Sequence, residues 1–292
     1  MPAETRLAHL TDLHVPLGMP RGMELLGKPG LSNLSWRFNR YKRHLPRVAE
    51  ALITHLRARP HDLIAMAGDL INFGLEREFE AGRAWLDRLG PPDKVAAIPG
   101  NHEAMAGPWQ EAMERHWGAY ATPGRMLVHE GTALITVSSA CVTPPFFASG
   151  RVATEEMARL TTNLAKAQAQ ALLPVVLIHH PPTEICVTRK ALSNRQAVVR
   201  VLGAGGAAMV LHGHNHKNEL SWIDAAHGRI PVLGAPSFSM ASGGHLPPGA
   251  WREMVIGREA GAAWVDITQH TFTKDHQIVA ETPVRLGLPV LA

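Results

Sequence analysis

Residues 207–216, Ala-Ala-Met-Val-Leu-His-Gly-His-Asn-His, set an apolar run directly against a glycine and two histidines spaced two apart. A short apolar run bounded by a turn residue reads as a buried strand, so the polar residues that follow lie at its C-terminal end. The layout recurs four more times. Arg6–Leu10 leads into Asp12-Leu13-His14, Asp62–Ala67 into Gly68-Asp69, Lys94–Ile98 into Gly100-Asn101-His102-Glu103, and Val175–Ile178 into His179-His180-Pro181-Pro182. Thr132–Ser138 is a further strand-like run. Helical spacing fills the intervals at Glu76–Leu89, Pro108–Trp117 and Leu192–Leu202. It also fills the segment opened by Thr154, where Glu155 and Glu156 occupy the first turn and Met157, Leu160, Leu164 and Ala171 share a face. Past residue 218 the helical patterns stop, and Leu220–Ile223, Ile230–Leu233, Ala262–Thr268 and Gln277–Thr282 read as antiparallel strands. With no repeat, low-complexity stretch or linker, residues 1–292 are expected to form one α/β domain of two packed sheets.

The composition agrees with a globular protein. Of 292 residues, 46% are apolar and 18% charged, which excludes a disordered chain. Cys141 and Cys186 cannot make a disulfide framework, so a reducing compartment is expected. Residues 1–10 have no secretory pattern, and the uncharged runs near 131–150 and 230–251 are broken by paired prolines, so neither reads as a membrane span. A cytoplasmic location follows as the expectation. Two features are unusual: the 17 histidines outnumber Phe and Tyr together, and the positive charge is local. Residues 21–47 carry seven lysines and arginines against Glu24 alone, so the +4 of the chain is a +6 segment on a body of −2.

The five motifs place two carboxylates, one carboxamide and several imidazoles beyond strand ends, where side chains from different strands meet in one crevice. In extended chain, residues i and i+2 point the same way, so Asp12 with His14, and His214 with His216, each present two donors to one pocket. The donor mixture suits Mn, Fe or Zn and is too rich in nitrogen for Ca or Mg. Gly68, Gly100 and Gly213 allow sharp turns beside the donors.

The ordered pattern Asp-x-His, Gly-Asp, Gly-Asn-His-Glu, His-x-Pro, Gly-His-x-His across residues 12–216 resembles the calcineurin-like metallophosphoesterase superfamily. The resemblance implies a two-sheet β-sandwich flanked by helices, with the site at the strand ends. It implies two metal ions, Mn2+, Fe2+/Fe3+ or Zn2+: one held by Asp12, His14, Asp69 and His216, the other by Asp69, Asn101, His179 and His214, with Asp69 as the bridge. His102 stands at the family's catalytic histidine, and Glu103 or another acid is a candidate to orient it. His180 adjoins the site as a candidate substrate contact. The implied reaction is phosphoester hydrolysis by in-line attack of a hydroxide bridging the metals, with a phosphodiester as the expected substrate. The nearest branch in look is that of bacterial cyclic-nucleotide and glycerophosphodiester phosphodiesterases, although Glu103 replaces that branch's usual Asp.

The segment at about 15–47 has no place in the pattern. Leu31, Leu34, Phe38, Tyr41 and Leu45 recur at helical spacing, with Arg37, Arg40, Arg43 and Arg47 mostly to one side, which predicts an amphipathic helix broken or kinked at Pro46. Three readings apply to it: a packing helix, a lid over the site that attracts a polyanionic substrate, or a contact to the inner face of a membrane. The last motivates an alternative activity, a lipid or nucleotide-sugar pyrophosphate hydrolase at the membrane surface. A non-catalytic scaffold of the same fold is the alternative from another class, and it would be expected to lose ligands that are all present here. Gly22–Lys28 resembles a phosphate-binding loop until Pro29 takes the place of the Ser or Thr that would contact Mg. With the basic charge confined to one segment, a nucleic-acid partner is disfavoured. The C-terminal strands offer a surface for a homo-oligomer.

Overall fold

All five motif-bearing runs become strands whose C-terminal ends face one crevice. In chain order the strands of the computed structural model are β1 (Glu4–Leu10), β2 (Leu63–Met66), β3 (Val95–Ala97), β4 (Met126–His129), β5 (Thr132–Val137), β6 (Leu173–Ile178), β7 (Met209–His212), β8 (Glu219–Ala225), β9 (Gly228–Gly234), β10 (Ala250–Glu259), β11 (Ala262–Phe272), β12 (Ile278–Ala280) and β13 (Val284–Leu288). The helices are α1 (Lys28–Phe38), α2 (Pro46–Arg57), α3 (Glu76–Leu89), α4 (Trp109–Ala121), α5 (Thr154–Ala169) and α6 (Arg195–Ala204). The structure describes residues 4–14, 19–25, 28–38, 40–259 and 261–291, and leaves aside the side chains of residues 34, 35, 37, 38 and 40.

One sheet runs β12-β11-β10-β1-β2-β3, with β13 also paired to β11, and the other runs β4-β5-β6-β7-β9-β8. In the first sheet the parallel strands β1, β2 and β3 form one end and the antiparallel strands adjoin β1, whereas in the second a parallel centre of β5, β6, β7 and β9 is flanked by antiparallel β4 and β8. The parallel strands are buried on both faces, which is why they read as continuous apolar runs and not as alternations. Leu7, Leu63, Ala65 and Ile98 of one sheet meet Leu134, Val175, Leu177 and Leu211 of the other in the layer between them. Each fully buried Leu or Val in this layer contributes about 1.5–3 kcal/mol relative to exposure. α2, α3 and α4 cover the outer face of the first sheet, and α5 and α6 that of the second. The result is a four-layer αββα sandwich.

Helix α2 departs from the expected break at Pro46. The preceding helix ends by Phe38, and Pro46 occupies the first turn of the next helix, where its missing N–H removes no hydrogen bond. Val48, Ala49, Leu52, Ile53 and Leu56 then form one buried stripe. The proposed face of Leu34, Arg37, Phe38 and Arg40 lies outside the described side chains. α4 continues one turn past Trp117, and Ala171 lies beyond the end of α5. Cys141 and Cys186 are not bridged to each other. Among the described residues no helix is long and apolar enough to cross a membrane.

Candidate metal centre

The strand-end loops are joined by backbone hydrogen bonds before any side chain is considered. Ala67 N–H donates to Leu10 O, Asp12 N–H to Gly68 O and His14 N–H to Asp69 O, at 2.9–3.1 Å, so the first two motifs form one rigid unit. Gly68 adopts φ +89°, a left-handed turn that favours glycine. Gly100 has ordinary φ, but a Cβ there would collide with Asp69 Oδ1, so its requirement is space rather than a turn. Nine described non-glycine residues have positive φ, and five of them are Asp12, His14, Asp69, His214 and His216. Left-handed backbone is uncommon away from glycine, and five of the nine such residues fall together at these strand-end loops, each carrying a candidate donor.

Two groups of donors result. In the first, His216 Nε2 lies 3.1 Å from Asp12 Oδ1, and His14 Nε2 lies 3.3 Å from His216 Nε2 and 3.6 Å from both Asp12 Oδ1 and Asp69 Oδ2. In the second, His179 Nε2 is 3.4 Å from both Asp69 Oδ2 and Asn101 Oδ1, and Asn101 Oδ1 is 3.0 Å from His214 Nδ1. Asp69 Oδ2 is common to both. Donors at about 2.0–2.2 Å from one ion are about 3.0–3.5 Å apart, so both groups fit a first-row metal.

The outward nitrogens are fixed by the protein. His179 Nδ1–H donates to Ala67 O at 2.7 Å, and His214 Nε2–H to Lys190 O at 3.0 Å, which turns the other nitrogen of each ring toward the cluster. Burial raises the carboxyls of Asp12 and Asp69, but the surrounding imidazoles outweigh it and hold both well below the usual range. Burial would lower His179, yet Asp69 lifts it to about 9.

His102 adjoins both groups. Its amide donates to Asp69 Oδ1 at 2.8 Å, and its Nδ1–H donates to Asn72 O at 2.6 Å, which turns Nε2 away from that carbonyl. The partner is thus a backbone carbonyl and not the acid considered from sequence. Glu103 has a different task. Its carboxylate accepts the amides of Asp69, Leu70, Ile71 and Gly100 at 2.7–3.2 Å. Burial and the neighbouring Asp69 push its carboxyl up to about 8. Asn72 also ties the loops through Nδ2–H to His14 O at 3.0 Å. His180 is buried, with Nδ1 2.8 Å from Ser139 Oγ and Nε2 3.2 Å from Ala148 O, and burial together with His179 pushes it down to about 3.

A cavity of about 920 Å³ opens above Asp69, Asn101, His102, His214 and His216. Lys28, Arg43, Arg189, Lys190 and Lys217 line its mouth, interleaved with Leu31, Phe146, Phe147, Ile185 and Val187. Lys28, Leu31 and Arg43 come from the basic segment, so that segment forms part of the rim. Sequence reasoning missed 146–147 and 185–189, which carry no motif and join the site only through the fold.

A family model described as calcineurin-like phosphoesterase matches residues 5–218. A probable cyclic nucleotide phosphodiesterase of a Synechococcus species is 27% identical over 224 residues, 75% of this chain and 80% of that protein. Among solved structures, a dimetal phosphatase from Danio rerio superposes with TM-score 0.58 at 12% identity, covering 97% of this chain and 99% of that one. A purple acid phosphatase from yellow lupin superposes with TM-score 0.55 at 11% identity, covering 98% of this chain and 54% of that one.

Proposed function

The chain belongs to the calcineurin-like phosphoesterase family, and from that membership we propose that it is a dinuclear-metal phosphodiesterase. The observation that carries the reading is the sharing of Asp69 Oδ2 between two donor groups, 3.6 Å from His14 Nε2 and 3.4 Å from His179 Nε2. Asp12, His14, Asp69 and His216 would hold one ion, and Asp69, Asn101, His179 and His214 the other. Such a pair of cations, when bound, neutralises phosphate oxygens and lowers the pKa of water enough to make a nucleophile at neutral pH. His102 Nε2 then gives a proton to the departing ester oxygen, while Asn72 O holds the opposite nitrogen. The five cationic side chains at the mouth draw in and orient the phosphodiester anion. Buried His180 acts by fixing the loops behind the site through Ser139 and Ala148, a role that replaces direct substrate contact in this reading.

The test is hydrolysis by protein reconstituted with Mn2+, Fe2+ or Zn2+ in turn. An aryl phosphodiester should be cleaved faster than the matching monoester. Monoester preference would overturn the diester reading, and no hydrolysis with any metal would favour the scaffold. A panel of cyclic nucleotides, glycerophosphodiesters and nucleotide-linked lipids names the substrate, cyclic nucleotides being the class in the name of the Synechococcus relative.

A second reading, lipid or nucleotide-sugar pyrophosphate hydrolysis at a membrane surface, draws on the mouth, where Phe146 is 78% and Val187 61% exposed beside cations. Pelleting with anionic vesicles at two salt concentrations tests it, and absence of salt-sensitive binding removes it.

A further inference from the structure

We propose that His44 is a fifth protein ligand of the first metal group, beside Asp12, His14, Asp69 and His216. The assignment rests on the dinuclear reading above and extends it to a residue outside all five motifs, in the basic segment that the motif pattern leaves unexplained.

Three observations carry it. First, one ligating nitrogen each from His14, His44 and His216 lies within 4.8 Å of the others. The ring centroids are 4.6 Å apart for His14 and His44, 5.5 Å for His44 and His216, and 5.1 Å for His14 and His216. Imidazoles bound through nitrogen at about 2.1 Å to one ion have centroids about 4.5–5.5 Å apart, so the three rings are close enough to converge on a single cation.

Second, the ring is oriented like a ligand. His44 Nδ1 is 2.9 Å from Ser239 Oγ and 3.4 Å from Ser237 Oγ, and the Ser237 hydroxyl in turn donates to Asp12 O at 2.7 Å. A hydroxyl on Nδ1 is the kind of outer partner by which ligating histidines fix their tautomer and ring orientation. Trp36 stacks on the ring at 6.2 Å with 19° between planes, and His44 is buried while still facing the cavity.

Third, the backbone that carries His44 is pinned. Leu45 N–H donates to Ser239 O at 2.9 Å and Ala241 N–H to Arg43 O at 2.6 Å, around a β-bridge from His44 to Met240. The strap is therefore held against the loop after β9 with the ring fixed in place.

The consequence is an asymmetric pair. The first position has three imidazoles and two carboxylates, and the second has two imidazoles, a carboxamide and the shared carboxylate. Imidazole-rich sites favour Fe and Zn over Mn, so the first position takes the ion with the stronger nitrogen preference.

The experiment uses the full chain loaded with Co2+ or Zn2+, comparing wild type with His44→Ala and His44→Gln. The readouts are metal per chain after dialysis against a chromophoric chelator and the visible Co2+ spectrum. Wild type should keep two ions. Both variants should keep one ion and release the other at least about 10-fold more readily, with a changed Co2+ spectrum. The Gln variant, which preserves bulk beside Ser239, decides the matter if the Ala variant does not fold. Two ions of wild-type affinity with an unchanged spectrum in either folded variant overturns the role of His44 alone. A wild type that binds no metal overturns the dinuclear reading along with it.

Discussion

Glu103 Oε2 accepts the amide of Asp69 at 3.1 Å, so the residue next to His102 fixes the backbone of the residue shared by the two donor groups. The same carboxylate gathers Leu70, Ile71 and Gly100, which makes it the tie between the second and third motifs. Glu103→Gln puts an NH2 against buried N–H donors. Thermal melts should report a loss of about 2–3 kcal/mol, together with weaker metal retention. A variant with unchanged melting would show that water or loop adjustment replaces the carboxylate.

Asp69→Ala removes the oxygen common to both groups. Metal per chain should fall from two toward zero, and hydrolysis of an activated diester should fall at least about 100-fold. Elemental analysis beside a rate measurement checks this, and retention of both ions would refute the bridging role.

His102→Ala leaves all the donor atoms in place. It should keep its metal yet lose about 10²–10⁴-fold in turnover, least with aryl leaving groups of low pKa and most with alkyl ones. A uniform loss across leaving groups would argue against proton donation.

How far these residues were legible from sequence differed by region. Strands β2, β3, β6 and β7 were readable because burial on both faces demands apolar runs, and the motif beyond each end marks where the run stops; β1, with exposed Glu4 and Arg6, was marked mainly by the motif after it. β10 was not. Its ten residues include Arg252, Glu253, Arg258 and Glu259, and Arg252 is nevertheless buried, bonded to Asn218 Oδ1. A charged residue that finds its partner in a segment distant in sequence erases the periodicity that sequence reading depends on. The donors were legible because each sits in a short motif. The part of Asn72 was hidden because it supplies a backbone carbonyl, which no side-chain pattern reports, and His44 reaches the donors only through its strap.

His55, His61 and His270 surround Trp251, with Arg59, Glu253 and Asp62 as the nearby charges. Burial lowers all three, His55 to about 4. Because the folded values lie below the unfolded one, their contribution to stability is complete above about pH 6.5 and is lost as pH falls from there toward 4. The melting temperature should therefore drop with acidification across that window, and His55→Gln should flatten the slope at equal metal loading. An identical slope in the variant would place the pH sensitivity elsewhere.

The left-handed backbone at Asp12, His14, Asp69, His214 and His216 narrows which amino acids those positions accept. Asp, Asn and His tolerate positive φ and also carry a donor atom, whereas β-branched and bulkier side chains oppose it. If these residues hold the metals as proposed, replacing a donor at these five positions is restricted by the main chain to the side chains that accept positive φ, chiefly Asp, Asn and His. Asn101, His179 and His44 are not among the described residues with positive φ, so under the same reading these are the donors that evolution or design can retune at the least conformational cost.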